Sequence, residues 1–323
     1  MSLLPGRLVR ADRWWTGLPP AAGSAVMAAG ILSIGLELIG HEVLSLAALA
    51  VAGALWLVLA ADFGLRLIAD RGRFCSEADT PSALTAVAAT AVLGARLAQS
   101  GLETVAAALL ALAAALWPLL LYHVLRHWKR RMPGAVFLVC VATQGLAVLA
   151  ATLCVTLHQD WLGRVGLAWF CLGVLLYGLA LARFDLHEVT GGAGDHWVAG
   201  GALSITALAG AKLTAAPIWT SAVHTTLRTA TLVALGLSLA WYVVLLTAEL
   251  RRPRPRYDIR RWSTVFPLGM TATACLSAAD PTGVAWLRPV GEVLLWIAVA
   301  ACAMTCAAFA LDRRTAGAPA PRG

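Results

Sequence analysis

The sequence predicts an all-α polytopic membrane protein: ten transmembrane helices arranged as five helical hairpins. Three observations carry that reading. The chain is 60% hydrophobic and only 13% charged, whereas a soluble domain carries about 25% charged residues. Apolar runs recur at about the 20 residues that a spanning helix needs. The basic residues gather in alternate connections between those runs. With a net charge of +8, that distribution is a topology signal and not the basic stripe of a nucleic-acid-binding protein.

The apolar runs lie near 20–39, 43–68, 83–99, 103–125, 134–157, 161–182, 197–214, 225–249, 262–280 and 284–311. Residues 1–18 precede them as a basic, aromatic arm with Arg7, Arg10, Arg13 and Trp14-Trp15, suited to a cytoplasmic membrane interface. The transmembrane domain is expected over 19–312. The tail 313–323, rich in Ala, Pro and Gly, is expected to be disordered. Of the 25 Lys and Arg, 20 fall in the arm, in the even-numbered connections or in the tail. The other five, Arg96, Arg164, Lys212, Arg228 and Arg288, stand toward the opposite helix ends. The positive-inside rule therefore places both termini in the cytoplasm of a multi-pass cell-membrane protein. The weakest vote is the connection 183–196, where Asp185, Glu188 and Asp195 face one Arg.

The other set of connections is short: Gly40-His41-Glu42, Ser100-Gly101 and Pro281-Thr282-Gly283. Short loops make antiparallel neighbours, hence hairpins. Pro20, Pro81 and Pro133 recur at the starts of helices 1, 3 and 5, where a missing N–H does no harm. The odd helices carry most of the small and uncharged polar residues, among them Ser33, Thr90, Gln144, Ser204 and Thr271. Small residues allow close helix contact, and hydroxyls need partners in lipid. The odd helices are thus the inner set, either because they pack tightly or because they line a polar path.

Helix 9 contains Phe266-Pro267, one turn inside an apolar run that also holds Ser263, Thr264, Thr271 and Thr273. Proline removes one helix hydrogen bond and crowds the preceding turn, a defect tolerated in lipid where neighbouring helices or a cavity compensate. Phe266 is either a packed core residue or a ring held at a kink, able to plug a narrow path.

Four stretches together resemble one family: Pro19-Pro20 with Val26 to Leu32, Val141 to Leu149 around Thr143-Gln144-Gly145, Trp197 with Gly201 to Gly210, and Trp262 with Val265 to Met270. They look like the tellurite-resistance/dicarboxylate transporter family, which is similar to bacterial TehA, fungal malate permease and sulfite exporters, and the slow anion channels of plant guard cells. The resemblance implies a quasi-fivefold ring of hairpins around a central pore. It also implies odd helices lining that pore, a homotrimer with one pore per subunit, and a gating phenylalanine that matches Phe266. One departure concerns helix 1, where the family's frequent Gly-Thr-Gly is Ala28-Ala29-Gly30.

Ionisable residues near the bilayer centre, the mark of a proton relay, are scarce. Asp62 with Arg66 and Arg288 with Glu292 have the i,i+4 spacing of structural pairs. Arg96 and Lys212, at the outer ends of helices 3 and 7, are the candidates for attracting anions, although Glu37 and Asp280 sit at corresponding levels. Gln144, the most polar side chain near a helix midpoint, either bonds across inner helices or faces permeating ions. The seven cysteines read as small packing residues. His123 and His127 share a helix face without a third ligand near in sequence. No metal site, cofactor or catalytic motif is expected. The function expected is a gated anion channel or passive permease for small inorganic anions or dicarboxylates. The alternatives are a proton-coupled C4-dicarboxylate or sulfite exporter, and a membrane-embedded metal-dependent enzyme built on Asp185, His187, Asp195 and His196.

Overall fold

The computed structural model describes residues 20–69, 72, 77–253 and 258–316. The expected arm 1–18 and the last residues of the tail lie outside them. Ten helices of 15 to 31 residues dominate. They are α1 (Gly23–Leu38), α2 (Glu42–Ala69), α3 (Thr85–Gln99), α4 (Glu103–Arg126), α5 (Leu138–Thr156), α6 (Asp160–Leu181), α7 (Val198–Thr214), α8 (Ser221–Arg251), α9 (Trp262–Thr282) and α10 (Leu287–Ala316). One short helix, Glu188–Gly191, interrupts the connection between α6 and α7. Among the described residues there is no strand, only an isolated bridge between Met132 and Phe184.

Each odd helix packs on the even helix that follows it, and the turns between them are short, so each pair is an antiparallel hairpin. Gly40, Gly101 and Gly283 make three of these turns at φ +79°, +80° and +69°, a conformation that costs glycine little. The odd helices start at one end of the bundle, here called the base, and finish at the other, the top. A 3₁₀ turn precedes every odd helix: Pro20–Ala22, Pro81–Leu84, Gly134–Phe137, Asp195–Trp197 and Ile259–Arg261. Proline opens or caps the first three. At the fifth the Asp258 carboxylate accepts from the Arg260 N–H at 2.9 Å.

The odd helices also pack on one another, α1 on α3, α3 on α5, α5 on α7, α7 on α9, and α9 back on α1. They are accordingly buried, and the even helices are not. In the most apolar 18 residues of Gly134–Thr156 every residue is buried, against 11% of the residues in the matching stretches of Glu42–Ile68 in α2 and Leu287–Asp312 in α10. Among the described residues, seven helices, α3 counted with its leading 3₁₀ turn as Pro81–Gln99, are long and apolar enough to cross a membrane. Of the remaining three, α1 and α7 have only 16 and 17 residues, and α9 carries six hydroxyl side chains and Asp280. Helices surrounded by protein need less hydrophobicity than helices that meet lipid.

Helix boundaries depart from the expected runs in three places. α8 starts at Ser221, ahead of 225, α9 continues through Pro281 to Thr282, and α10 extends to Ala316. Pro281 lies in the last turn of α9, which the left-handed Gly283 then terminates.

Candidate pore

The five odd helices meet at a central cavity of about 10 Å³, hardly the volume of one water. Its bulky walls are Ile31 and Ile34 of α1, Val92 of α3, Val148 of α5, Ile205 and Leu208 of α7, and Met270 of α9. Ala91, Ala95 and Gly145 fill the gaps. Among the described residues no charged, hydroxyl or amide side chain lines it. Periodicity alone had not singled out these residues. Their signal is the recurrence of a branched apolar side chain at i and i+3 on α1 and α7.

Phe266 stands four residues before Met270, on the same face of α9 and one turn nearer the base. It is 1% exposed. Pro267 beside it packs on Gly201 of α7, where a Cβ would stand 2.8 Å from the proline Cγ. Glycine is required there by the close approach of the two helices. One turn beyond, a hydroxyl cluster ties three helices together: Ser204 of α7 lies 2.6 Å from Ser238 of α8 and 2.8 Å from Thr271 of α9. Thr271 also donates to the Pro267 carbonyl at 2.9 Å. The Pro267 turn of α9 is thus held against α7 by a close contact on one turn and a hydroxyl cluster on the next.

The other residues expected at a polar path are engaged with outer helices. Ser33 of α1 and Ser45 of α2 exchange hydroxyl-to-carbonyl bonds at 2.8 Å. Thr90 of α3 accepts from Trp56 Nε1 of α2 at 2.9 Å. One hairpin further on, Thr143 of α5 accepts from Trp117 Nε1 of α4, also at 2.9 Å. Gln144 donates through Nε2 to the Phe170 carbonyl of α6 at 3.1 Å, in a space left by Gly173. Thr90 and Trp56 also border a larger, mostly apolar cavity of about 340 Å³ among α1 to α4, whose base holds the Asp62–Arg66 pair at 2.6 Å.

The two candidate anion-attracting cations have different surroundings. Arg96 is 2% exposed. It pairs with Glu37 at 2.7 Å and also donates to Ser33 and Ser45 at 3.0 Å each and to Ser100 at 2.6 Å. Lys212 is half-buried near the top of α7, and among the described residues no hydrogen bond or ion pair engages it. Arg288, expected opposite Glu292, faces Asp280 at 3.7 Å instead, because the turn at Gly283 folds the end of α9 against the start of α10.

At the base, the connection 183–196 is a structural tether. Asp195 accepts from the Ala135 N–H at 3.3 Å, and Thr264 donates to the Gly194 carbonyl at 3.3 Å, so the loop bridges the starts of α5 and α9. Asp185 and His187 pair at the surface at 3.0 Å, and this hydrogen bond holds the Asp185 carboxyl below its ordinary range. Burial, with Asp195 and Asp185 nearby, pushes Glu188 up. The four residues of the metal-enzyme alternative do not converge: Asp195 and His196 are buried, while the His187 side chain is 89% exposed. Asp79 joins His123 and His127, at 3.1 and 3.3 Å from their Nδ1 atoms. Among the described residues no group of three or more metal-binding side chains is assembled.

Comparison with curated proteins gives no match to the chain. The sequence pattern of the SLAC1 family, described as voltage-dependent anion channel, matches residues 17–310. That span takes in all the inner helices and the central cavity, and the chain belongs to the SLAC1 voltage-dependent anion channel family.

Proposed function

We propose that this protein is a gated channel or passive permease for small anions, with its path along the central column of the five odd helices. The observation that carries the reading is the central cavity, to which every odd helix contributes. The closed order of packing from α1 through α9 back to α1 supports a quasi-fivefold ring of ten spanning helices. Phe266 is the gate and Pro267 its hinge: the ring lies in register with the cavity wall, and a hydrophobic constriction blocks ions by excluding water. Ser33, Thr90, Gln144, Ser204 and Thr271 do not face the central cavity and serve as ties to the neighbouring helices. By the positive-inside rule the base is cytoplasmic. The family supports a homotrimer with one path per subunit.

Proton-coupled export of dicarboxylate or sulfite has less support, because among the described residues no carboxylate lines the central cavity. The test is Phe266→Ala in planar bilayers, with chloride, nitrate, sulfite and malate as separate charge carriers. The variant costs about 3 kcal/mol of packing, stays folded and oligomeric, and carries far more anion current than the wild type. A folded Phe266→Ala protein with wild-type current would return the ring to the packed core.

A further inference from the structure

We propose that Lys212 is the charged centre of a binding site for one monovalent inorganic anion at the top of the central column. The inference rests on the reading that anions follow this column. Ile205 and Leu208 line the central cavity, and Lys212 follows them by seven and four residues. Two helical turns and one turn on, it repeats their face of α7. The column therefore changes from branched apolar side chains to an ammonium group toward the top.

Among the described residues no carboxylate pairs with that charge. The sequence sets two carboxylates at its level, Glu37 and Asp280, which together would cancel Arg96 and Lys212. The fold assigns both elsewhere: Glu37 to Arg96 at 2.7 Å and Asp280 to Arg288 at 3.7 Å. Asp280 is also 84% exposed. An ammonium group without a counter-charge inside a membrane bundle is expensive and marks a functional position.

Hydroxyl groups collect on the same faces. Ser277 follows Met270 by seven residues on α9, and Thr156 follows Gly145 by eleven, three full turns, on α5. The Oγ atoms of Ser277 and Thr156 are buried without a hydrogen-bond partner among the described residues. Buried hydroxyls ordinarily find partners. A halide or nitrate beside Lys212 supplies acceptors for both. A dicarboxylate needs a second free cation, and Arg96, bound to Glu37 and three serines, is not one. One fixed positive charge flanked by hydroxyl donors selects a single negative charge.

The test uses the purified full-length protein and the line width of the chloride NMR signal, which reports binding without an open gate. Wild-type protein and Lys212→Arg broaden the line. Lys212→Met weakens chloride binding by about tenfold, the scale of one partly screened charge contact. Nitrate displaces chloride at comparable concentration, and malate is a weaker competitor. Equal broadening by wild type and Lys212→Met overturns the site, and stronger displacement by malate than by nitrate overturns its monovalent selectivity. The readout is separate from the gate: Lys212-dependent binding in a protein whose Phe266→Ala form carries no current would sustain the site and remove the gate.

Discussion

The inner helices have two faces with opposite chemistry. Toward the outer helices they present Ser33, Thr90, Thr143 and Gln144, each bonded to a neighbour on α2, α4 or α6. Toward the central cavity they present Ile31, Val92, Val148, Ile205 and Met270. The polar side chains of these helices hold the assembly together, and the apolar ones close its middle. This arrangement follows from the solvent. A hydroxyl between two helices in lipid is satisfied by a neighbouring backbone or side chain, whereas a hydroxyl in a dry constriction has no partner. A closed path is therefore most cheaply sealed by hydrocarbon, with polar groups confined to the contacts around it and to the mouth.

The comparison makes predictions that grow weaker from the ion pair outward. Arg96→Met should have the largest effect on stability and little on ion selectivity. It leaves Glu37 and three serines without their shared donor, at a cost of about 3 kcal/mol, read as a fall in thermal unfolding temperature in detergent. The double variant Arg96→Met with Glu37→Gln should recover part of the loss. Selectivity altered at unchanged stability would put Arg96 on the path instead. Gly201→Ala comes next. The added methyl meets the Pro267 ring at 2.8 Å, so about 2 kcal/mol of overpacking is expected. Because the strain falls on α9, the helix of the proposed gate, basal anion current should change with it. A loss of stability without any change in current would separate the Pro267 contact from gating. Gln144→Leu is the mildest change. It gives up one inter-helix hydrogen bond, about 1 kcal/mol, and removes an amide oxygen that has no partner among the described residues. Current and anion order in the Phe266→Ala background should be unchanged, and a reordered anion series would transfer Gln144 from the outward face to the path.

Much of this was legible in the chain itself. Apolar run length and the spacing of short connections marked ten helices and their hairpin pairing, because lipid demands backbone satisfaction within each helix and a turn of a few residues leaves only an antiparallel neighbour. Phe266-Pro267 was visible as a local defect in an apolar run. The small and hydroxylated residues marked the inner helices, with α8 the exception, an outer helix whose Thr225, Thr226 and Thr229 are exposed and bond their own backbone.

Tertiary structure alone decided which face of each inner helix meets the centre. A helix such as α5, buried on every side, has no amphipathic stripe to mark a direction. Hence the sequence left open whether Gln144 bonds a neighbouring helix or faces the middle. The difference between Arg96 and Lys212 was also beyond it. Both are single cations near helix ends with a carboxylate at a matching depth, and depth says nothing of azimuth. The packing of α1 against α3 brought Glu37 to Arg96, and the turn at Gly283 carried Asp280 to Arg288. Lys212 was left with an unbalanced charge because electrostatic pairing depends on distances of a few ångströms, which only the packed helices fix.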